Sequence, residues 1–375
     1  MSATPASDLA VTARLRRGTF ELDLDLHVEA GTTVALLGPN GAGKSTTFGL
    51  VAGLDELGDL GDHGRNGDGD ESGSASVCVR LGERVLTDTS SGTFVLAEQR
   101  RVGVVFQDHL LFPHLSVVDN IAFGPRSAGR SRSASRQIAD EWIDRFDLGA
   151  FRDRRPTELS GGQAQRVAIA RSLASSPDLL LLDEPLAALD VESRRDLRRA
   201  MRRHLDDLTG PRLLVTHDPS DAFVLADEIV VIEHGRLTQR GTPAEIRRRP
   251  NTPYVAALGG TNLIAGTATG GTVTLDEHRH VLTVADTAVG GPVMLTMHPR
   301  SVSLHPHRPD GSQRNTWQTT VDLVEPMGDT VRITLGSPLP VSADVTPGAV
   351  DALGLAPGSI VWAAVKATEI AVDPA

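Results

Sequence analysis

From residue 20 to residue 26 the chain alternates Phe20, Leu22, Leu24 and Leu26 with Glu21, Asp23 and Asp25, the two-residue period of a strand with one wet face. Residues 33–37 drop the alternation and read as a strand buried on both faces, followed by glycines and a helix over 45–54. Further apolar runs at 77–81, 102–106, 179–182 and 213–215 predict more strands. Between them the period lengthens. Ile138, Trp142 and Phe146 recur every four residues with Ala139 and Ile143 beside them, a stripe assigned to the core, and Val167, Ile169, Ala170 and Leu173 mark another helix. A third helix, running to Leu208, carries arginine at 194, 195, 198, 199, 202 and 203 and is read as a solvated face rather than a nucleic-acid surface. Strands alternating with helices predict an α/β domain on a parallel sheet, with the 10–30 stretch as an antiparallel edge layer. Beyond residue 246, short alternating segments such as 271–275 and 331–335, separated by Gly, Pro and Thr, predict a small β-barrel.

Composition narrows this picture. A chain of 375 residues, 40% of them apolar, has room for two or three cored domains. A net charge of −11 argues against a protein that coats nucleic acid. The single cysteine, Cys78, excludes an internal disulfide or a multi-cysteine zinc site and fits a reducing compartment. No basic stretch followed by an apolar one opens the chain, so no signal peptide is expected. No run reaches the roughly 18 apolar residues of a membrane span, and any membrane connection is expected to go through a partner. Residues 54–76 are Gly-rich and acidic (Asp55, Glu56, Asp59, Asp62, Asp68, Asp70, Glu71), which predicts a disordered insert; their spacing does not match a calcium loop.

The chemistry concentrates in a few short stretches. Gly38-Pro39-Asn40-Gly41-Ala42-Gly43-Lys44-Ser45-Thr46 fits the phosphate-loop pattern G-x-x-x-x-G-K-[ST] at each required position. Its glycines let successive amides turn inward as an anion nest, Lys44 adds a point charge for β- and γ-phosphates, and Ser45 offers a hydroxyl to Mg²⁺. The following helix aims its positive end at the same anion. Asp183 and Glu184 end the 179–182 run: Asp183 stands where a phosphate-loop enzyme organises magnesium, and Glu184 is suited to polarise a water. His217 follows the 213–215 run and is expected in the same crevice. Leu159-Ser160-Gly161-Gly162-Gln163 opens a helix with a capping hydroxyl and free amides, a second anion site.

Gly38 to Thr46, Gln107, Leu159 to Gln163, Leu182 to Pro185, Asp190 and His217 stand in the order of an ATP-binding-cassette (ABC) ATPase, which residues 10–245 resemble. The resemblance implies a P-loop NTPase fold over residues 1–245, with an antiparallel β layer and a helical subdomain at 108–160, that hydrolyses ATP with Mg²⁺. It implies a homodimer sandwiching two ATP molecules, each between the 38–46 loop of one subunit and the Ser160-Gly161-Gly162-Gln163 signature of the other. By position Glu184 would be the catalytic base and His217 would hold the γ-phosphate and the attacking water. Gln107 would sense Mg²⁺ beside Ser45 and Asp183 and couple to a partner, while Asp190 would cross the dimer interface. Where the family places an adenine-stacking aromatic the chain reads Arg14-Leu15-Arg16-Arg17, which leaves an arginine or Phe20 for that contact.

Residues 246–375 resemble the OB-like regulatory barrel (TOBE/MOP type) of importer ATPases, best over 312–372. Ser312-Gln313-Arg314-Asn315 resembles the start of a molybdate-binding module, where Ser-Ala-Arg-Asn is usual, and Val365-Lys366-Ala367-Thr368 resembles its end. Ser312, Arg314, Lys366 and Thr368 suit a tetrahedral oxyanion; a barrel used only for dimerisation is the alternative. A single module is legible, the first half being divergent. The whole resemblance implies the ATPase of a bacterial importer for molybdate or a similar oxyanion. It would sit peripherally on the cytoplasmic membrane face, docked on an integral permease and touching a solute-binding protein only indirectly, with no nucleic acid. Sulfate, ferric-iron and polyamine importers share the cassette and stay open, as does a soluble ABC ATPase acting on nucleic acid.

Overall fold

The computed structural model describes residues 7–55, 75–187, 189–276, 280–311 and 313–374. Two compact units result, Met1–Pro243 and Ala244–Ala375. In the first, strands β1 (Leu9–Arg17), β2 (Phe20–Val28), β3 (Thr33–Leu37), β4 (Ser76–Leu81), β5 (Arg84–Asp88), β6 (Thr93–Phe94), β7 (Val102–Val105), β8 (Leu179–Asp183), β9 (Arg212–Val215), β10 (Glu228–Glu233) and β11 (Arg236–Gly241) form one sheet. Their order is β6-β5-β4-β1-β2-β11-β10-β3-β9-β8-β7. The run β10-β3-β9-β8-β7 is parallel, as the buried apolar strands require. The expected antiparallel edge, β6-β5-β4-β1-β2, joins it through the β11–β2 pairing. β2 buries Leu22, Leu24, Leu26 and Val28 and leaves its acidic face exposed, as its alternation predicts.

Helix α1 (Lys44–Ala52) follows β3 and ends at Gly53, whose φ of 77° is left-handed. Its last turn is anchored by Arg100, which is fully buried and donates to the carbonyls of Leu50 at 2.8 Å and Val51 at 3.0 Å and to Thr87 Oγ1 at 2.8 Å. Burial, aided by the Arg84 charge, pushes the Arg100 guanidinium down to about 10. The acidic stretch after α1 is shorter than expected at both ends. Asp55 pairs with Arg17 at 3.4 Å and Ser76 already opens β4. The predicted disorder of residues 56–74 lies outside the described residues.

Helices α2 (Val117–Ile121), α3 (Phe123–Ser127), α4 (Arg132–Arg145) and α5 (Gly161–Ala174) pack together in the predicted helical region. The buried stripe of α4 is Ser135, Ala139 and Ile143, continued by Phe146 just past the helix. Ile138 and Trp142, expected in the core, are half-buried at its margin. Trp142 lies 5.9 Å from His204 of α6 (Val191–Leu205), so neighbouring helix rather than sheet covers it.

The arginine-rich α6 also departs from expectation. Arg194, Arg198 and Arg202, one turn apart, pair with Asp218 at 2.6 Å, Asp221 at 2.9 Å and Asp227 at 2.9 Å around helix α7 (Pro219–Leu225). This row zips two helices together. Only the other row, Arg195, Arg199 and Arg203, is exposed.

In the second unit the barrel pattern is realised as two five-stranded antiparallel sheets around one core. They use β12 (Asn262–Thr269), β13 (Thr272–Leu275), β14 (Val281–Thr283), β15 (Gly291–Met297), β16 (Ser303–His305), β17 (Asn315–Met327), β18 (Thr330–Leu335), β19 (Ser342–Val345), β20 (Ile360–Val365) and β21 (Ala371–Pro374). The orders β14-β13-β12-β15-β21 and β19-β18-β17-β20-β16 are the same path traced twice, with the final strands exchanged. The repeat carries a matched pair of asparagines. Asn262 accepts from the Ser342 amide at 2.7 Å and donates to its carbonyl at 2.9 Å, and Asn315 does the same with Thr283 at 2.6 and 2.9 Å. The first half, divergent in sequence, is therefore a second copy of the same module in structure.

Candidate functional site

Parallel register delivers the predicted residues to one edge of the sheet. Leu36 stands beside Val215, Val215 beside Asp183, and Leu182 beside Val105. One or two residues further on, Gly38, His217, Glu184 and Gln107 emerge from four adjacent strands at their carboxyl ends.

The 38–46 loop turns there. Gly43 has φ 108°, which side chains rarely adopt, and a Cβ there would stand 2.9 Å from Leu22 Cδ1 and 3.0 Å from Phe20 Cζ, so the backbone conformation calls for glycine. Phe20 thus lies against the loop, whereas Arg17 is engaged with Asp55 and Arg14 and Arg16 with Asp23 and Glu21 on the strand surface. Lys44 folds back over the loop and donates to the carbonyls of Gly38 at 2.6 Å and Pro39 at 3.0 Å. Burial lowers its pKa from 10.5, opposed by the Glu184 and Asp183 charges. Ser45 is exposed at the start of α1.

Asp183 moves the other way. Burial raises its carboxyl above 3.8, the neighbouring Glu184 charge adds to this, and Lys44 counters it. Glu184 adopts φ 45°, a left-handed conformation costly for a residue with a side chain, and its amide donates to the Val215 carbonyl at 2.8 Å. Its Oε2 lies 2.7 Å from His217 Nδ1. The strained backbone and the imidazole together aim one carboxylate oxygen.

This donor set fits a magnesium-bound polyphosphate. The partly desolvated ammonium would gain from any phosphate oxygen placed in the loop, whose glycines suit an anion nest. Among the described residues no cluster of three His, Cys, Asp or Glu side chains is placed to hold a metal. A hard cation would take Asp183 and neutral oxygens and complete its shell from phosphate and water.

Ser160 is the N-cap of α5 in a reciprocal capping box: its hydroxyl accepts from the Gln163 amide at 3.4 Å while Gln163 Oε1 accepts from the Ser160 amide at 3.0 Å. A hollow of about 170 Å³ adjoins it, lined by Gly162, Gln163, Arg166 and Leu189, and no residue of the 38–46 loop lines it. Asp190 is exposed at the start of α6.

Sequence reasoning missed Arg171. From α5 it donates to the carbonyls of Leu110 at 2.7 Å and His109 at 3.0 Å, consecutive residues with φ of 44° and 62°, and so pins the loop that follows the exposed Gln107. Its only local signal is an arginine inside an otherwise apolar helix stretch, too common to read.

In the second unit Asn315 pairs with Val365 across β17 and β20, which puts Arg314 and Lys366 on the next rung together. Both are exposed, as is Thr368. Ser312 lies outside the described residues. Gln313 donates to Ser303 Oγ at 3.3 Å, beside His305.

A phosphate loop after β3, a carboxylate pair at the end of β8, one strand removed across β9, and a separately capped signature helix define an ATP-hydrolysing cassette. The family model described as ABC transporter matches residues 22–187, and that of the TOBE domain matches 311–372. The molybdenum import ATP-binding protein ModC of Mycobacterium tuberculosis is 40% identical over 365 residues, covering 94% of each chain. The sulfate/thiosulfate import ATP-binding protein CysA of Synechococcus elongatus is 42% identical over 64% of each chain. The dimeric structure of MJ0796, a bacterial ABC transporter cassette, matches with a TM-score of 0.50 at 25% identity, over 63% of this chain and 98% of that one. The chain belongs to the ATP-binding proteins of the ABC transporter family and is an ABC-type ATPase with a C-terminal TOBE domain.

Proposed function

We propose that the chain powers a bacterial importer of molybdate or a similar oxyanion, as a homodimer docked on an integral permease at the cytoplasmic membrane face. The observation that carries this reading is the likeness to ModC through both units, 94% of the chain, where the likeness to CysA extends over 64%. No helix among the described residues is long and apolar enough to cross a membrane, so the connection would run through the permease. A solute-binding protein would touch only that permease, and nucleic acid has no part.

In this reading residues 1–245 are the nucleotide-binding domain and 246–375 the regulatory one. The amides of the 38–46 loop other than Ala42, which donates to the Pro39 carbonyl at 3.2 Å, and Pro39, which has none, hold the β- and γ-phosphates together with the Lys44 ammonium. Ser45, Gln107 and Asp183 would hold Mg²⁺, which when bound neutralises phosphate charge. Glu184, aimed by its backbone and by His217, takes the proton of the attacking water, and His217 steadies the γ-phosphate. Phe20, against the loop, is the better placed of the two adenine candidates. Because the hollow at Ser160 contains no residue of the 38–46 loop, the signature Ser160, Gly161, Gly162 and Gln163 acts on the nucleotide of a second copy, with Asp190 at the junction. Gln107, on the loop pinned by Arg171, reports nucleotide state to the permease.

Glu184→Gln tests the assignment. Hydrolysis is expected to fall by about 10²–10⁴-fold, with ATP binding retained and a dimer accumulating by size-exclusion chromatography with ATP. Hydrolysis at the wild-type rate would remove Glu184 as the base.

A further inference from the structure

Two arginines of the unzipped row of α6, Arg199 and Arg203, face a hollow to which the ATPase chemistry assigns no role. A cavity of about 370 Å³ lies among the end of α4, α5 and α6, where Arg145, Arg166, Arg199 and Arg203 face Asp147 and Asp196. Arg145 is engaged, 3.6 Å from Asp207 and with its guanidinium 4.7 Å from the Trp142 ring centre. Arg166, Arg199 and Arg203 make no hydrogen bond or ion pair among the described residues. The contrast with their neighbours matters. In a chain where Asp and Glu number 48 and Lys and Arg 37, carboxylates are plentiful, and Arg194, Arg198 and Arg202 have each found one. Three planar guanidinium forks left free around one concavity present a geometry suited to oxyanions. The volume lies in the range of small-molecule pockets, and helices wall it, which favours a compact ligand over an acidic protein segment.

We propose that this hollow is a binding site for a compact anion with two or more negative charges, of the phosphate-ester or pyrophosphate class. No residue of the 38–46 loop lines it, and Arg166 is the one residue it shares with the hollow at Ser160. Arg166 stands one helical turn past Gln163 and lines the hollow at Ser160 as well. An anion bridging Arg166 to Arg199 and Arg203 therefore ties the signature helix α5 to α6.

Trp142 is a built-in reporter, since the other tryptophans, Trp317 and Trp362, belong to the second unit. The test titrates inorganic pyrophosphate into the full chain carrying Lys44→Ala, at constant ionic strength, with tryptophan fluorescence as readout. Removing Lys44 separates this site from the phosphate loop, so failure here leaves the ATPase assignment untouched. The expected result is a saturable change with a dissociation constant of about 0.1 mM or tighter. Adding Arg199→Gln and Arg203→Gln weakens it at least tenfold, with the melting temperature unchanged. A non-saturating drift, the same change on matched additions of sodium chloride, or an unaltered constant in the arginine variant would each overturn the proposal.

Discussion

The nucleotide crevice and the Arg314–Lys366 pair both gather groups for an anion, yet they are built differently. In the crevice, parallel strands converge at their carboxyl ends, and burial moves Lys44 down and Asp183 up while Glu184 is held at φ 45°. Lys44 and Asp183 are partly desolvated before any ligand arrives, where electrostatic attraction is stronger than in water. In the second unit Arg314, Lys366 and Thr368 stand exposed at the ends of antiparallel strands, in water that screens them. The first region needs a strained scaffold before any ligand arrives; the second needs something to cover it. The same contrast appears on α6, where one arginine row is zipped and the other is open.

The largest test of that comparison asks whether the preorganised crevice is complete. Ser160→Arg is expected to keep ATP binding and lose hydrolysis by about 100-fold or more, because a signature from a second chain is missing. Equal turnover in that variant would mean that one chain suffices. Next comes the paired arginine row. Arg198→Ala leaves Asp221, 3% exposed and already raised by burial against the pull of Arg198, without its partner, at a cost of about 3 kcal/mol in a denaturant titration. Arg199→Ala on the open row should stay within about 0.5 kcal/mol. Equal effects would erase the distinction between the rows. For the exposed cluster, calorimetry on the full chain should give a molybdate affinity that falls about tenfold in Arg314→Gln with Lys366→Gln, one charged hydrogen bond's worth, with ATP affinity unchanged. No molybdate binding to the wild type would leave the β-sheet unit as a dimerisation element. The smallest effect is in pH. Since burial lowers Lys44 from 10.5, its positive charge is lost earlier than an ordinary lysine's as pH rises, so ATP affinity should decline in the alkaline range below 10.5. An affinity flat to that pH would show that Lys44 is not desolvated.

The crevice was legible because its chemistry is dictated locally: a nest needs Gly43, a point charge needs Lys44, and apolar runs ending in Asp183 and His217 announce where strands deliver side chains. Contacts far apart in sequence were not. Nothing near Arg198 announces Asp221, and nothing near Arg171 announces the carbonyls of His109 and Leu110. The α4 stripe was displaced toward Ile138 and Trp142 because periodicity identifies an apolar face without saying which neighbour covers its margin. The duplicated module escaped for a different reason. Antiparallel sheets ask only for alternation, so two copies can keep the strand path and the Asn262 and Asn315 cross-links while sharing little else.

The exchanged strands of the second unit bear on how the protein is made. β15 ends at Met297, yet the strand that covers its open side, β21, begins at Ala371. On a ribosome adding about 5–20 residues per second, the first module would emerge with a bare edge for roughly 4 to 15 s before its partner exists. During that interval it is a sticky half-product, open to pairing with a neighbouring nascent chain. The second sheet has all five of its strands once β20 ends at Val365, whereas the first waits for β21, so a translation product shortened just before Ala371 would keep the bare edge on the first sheet.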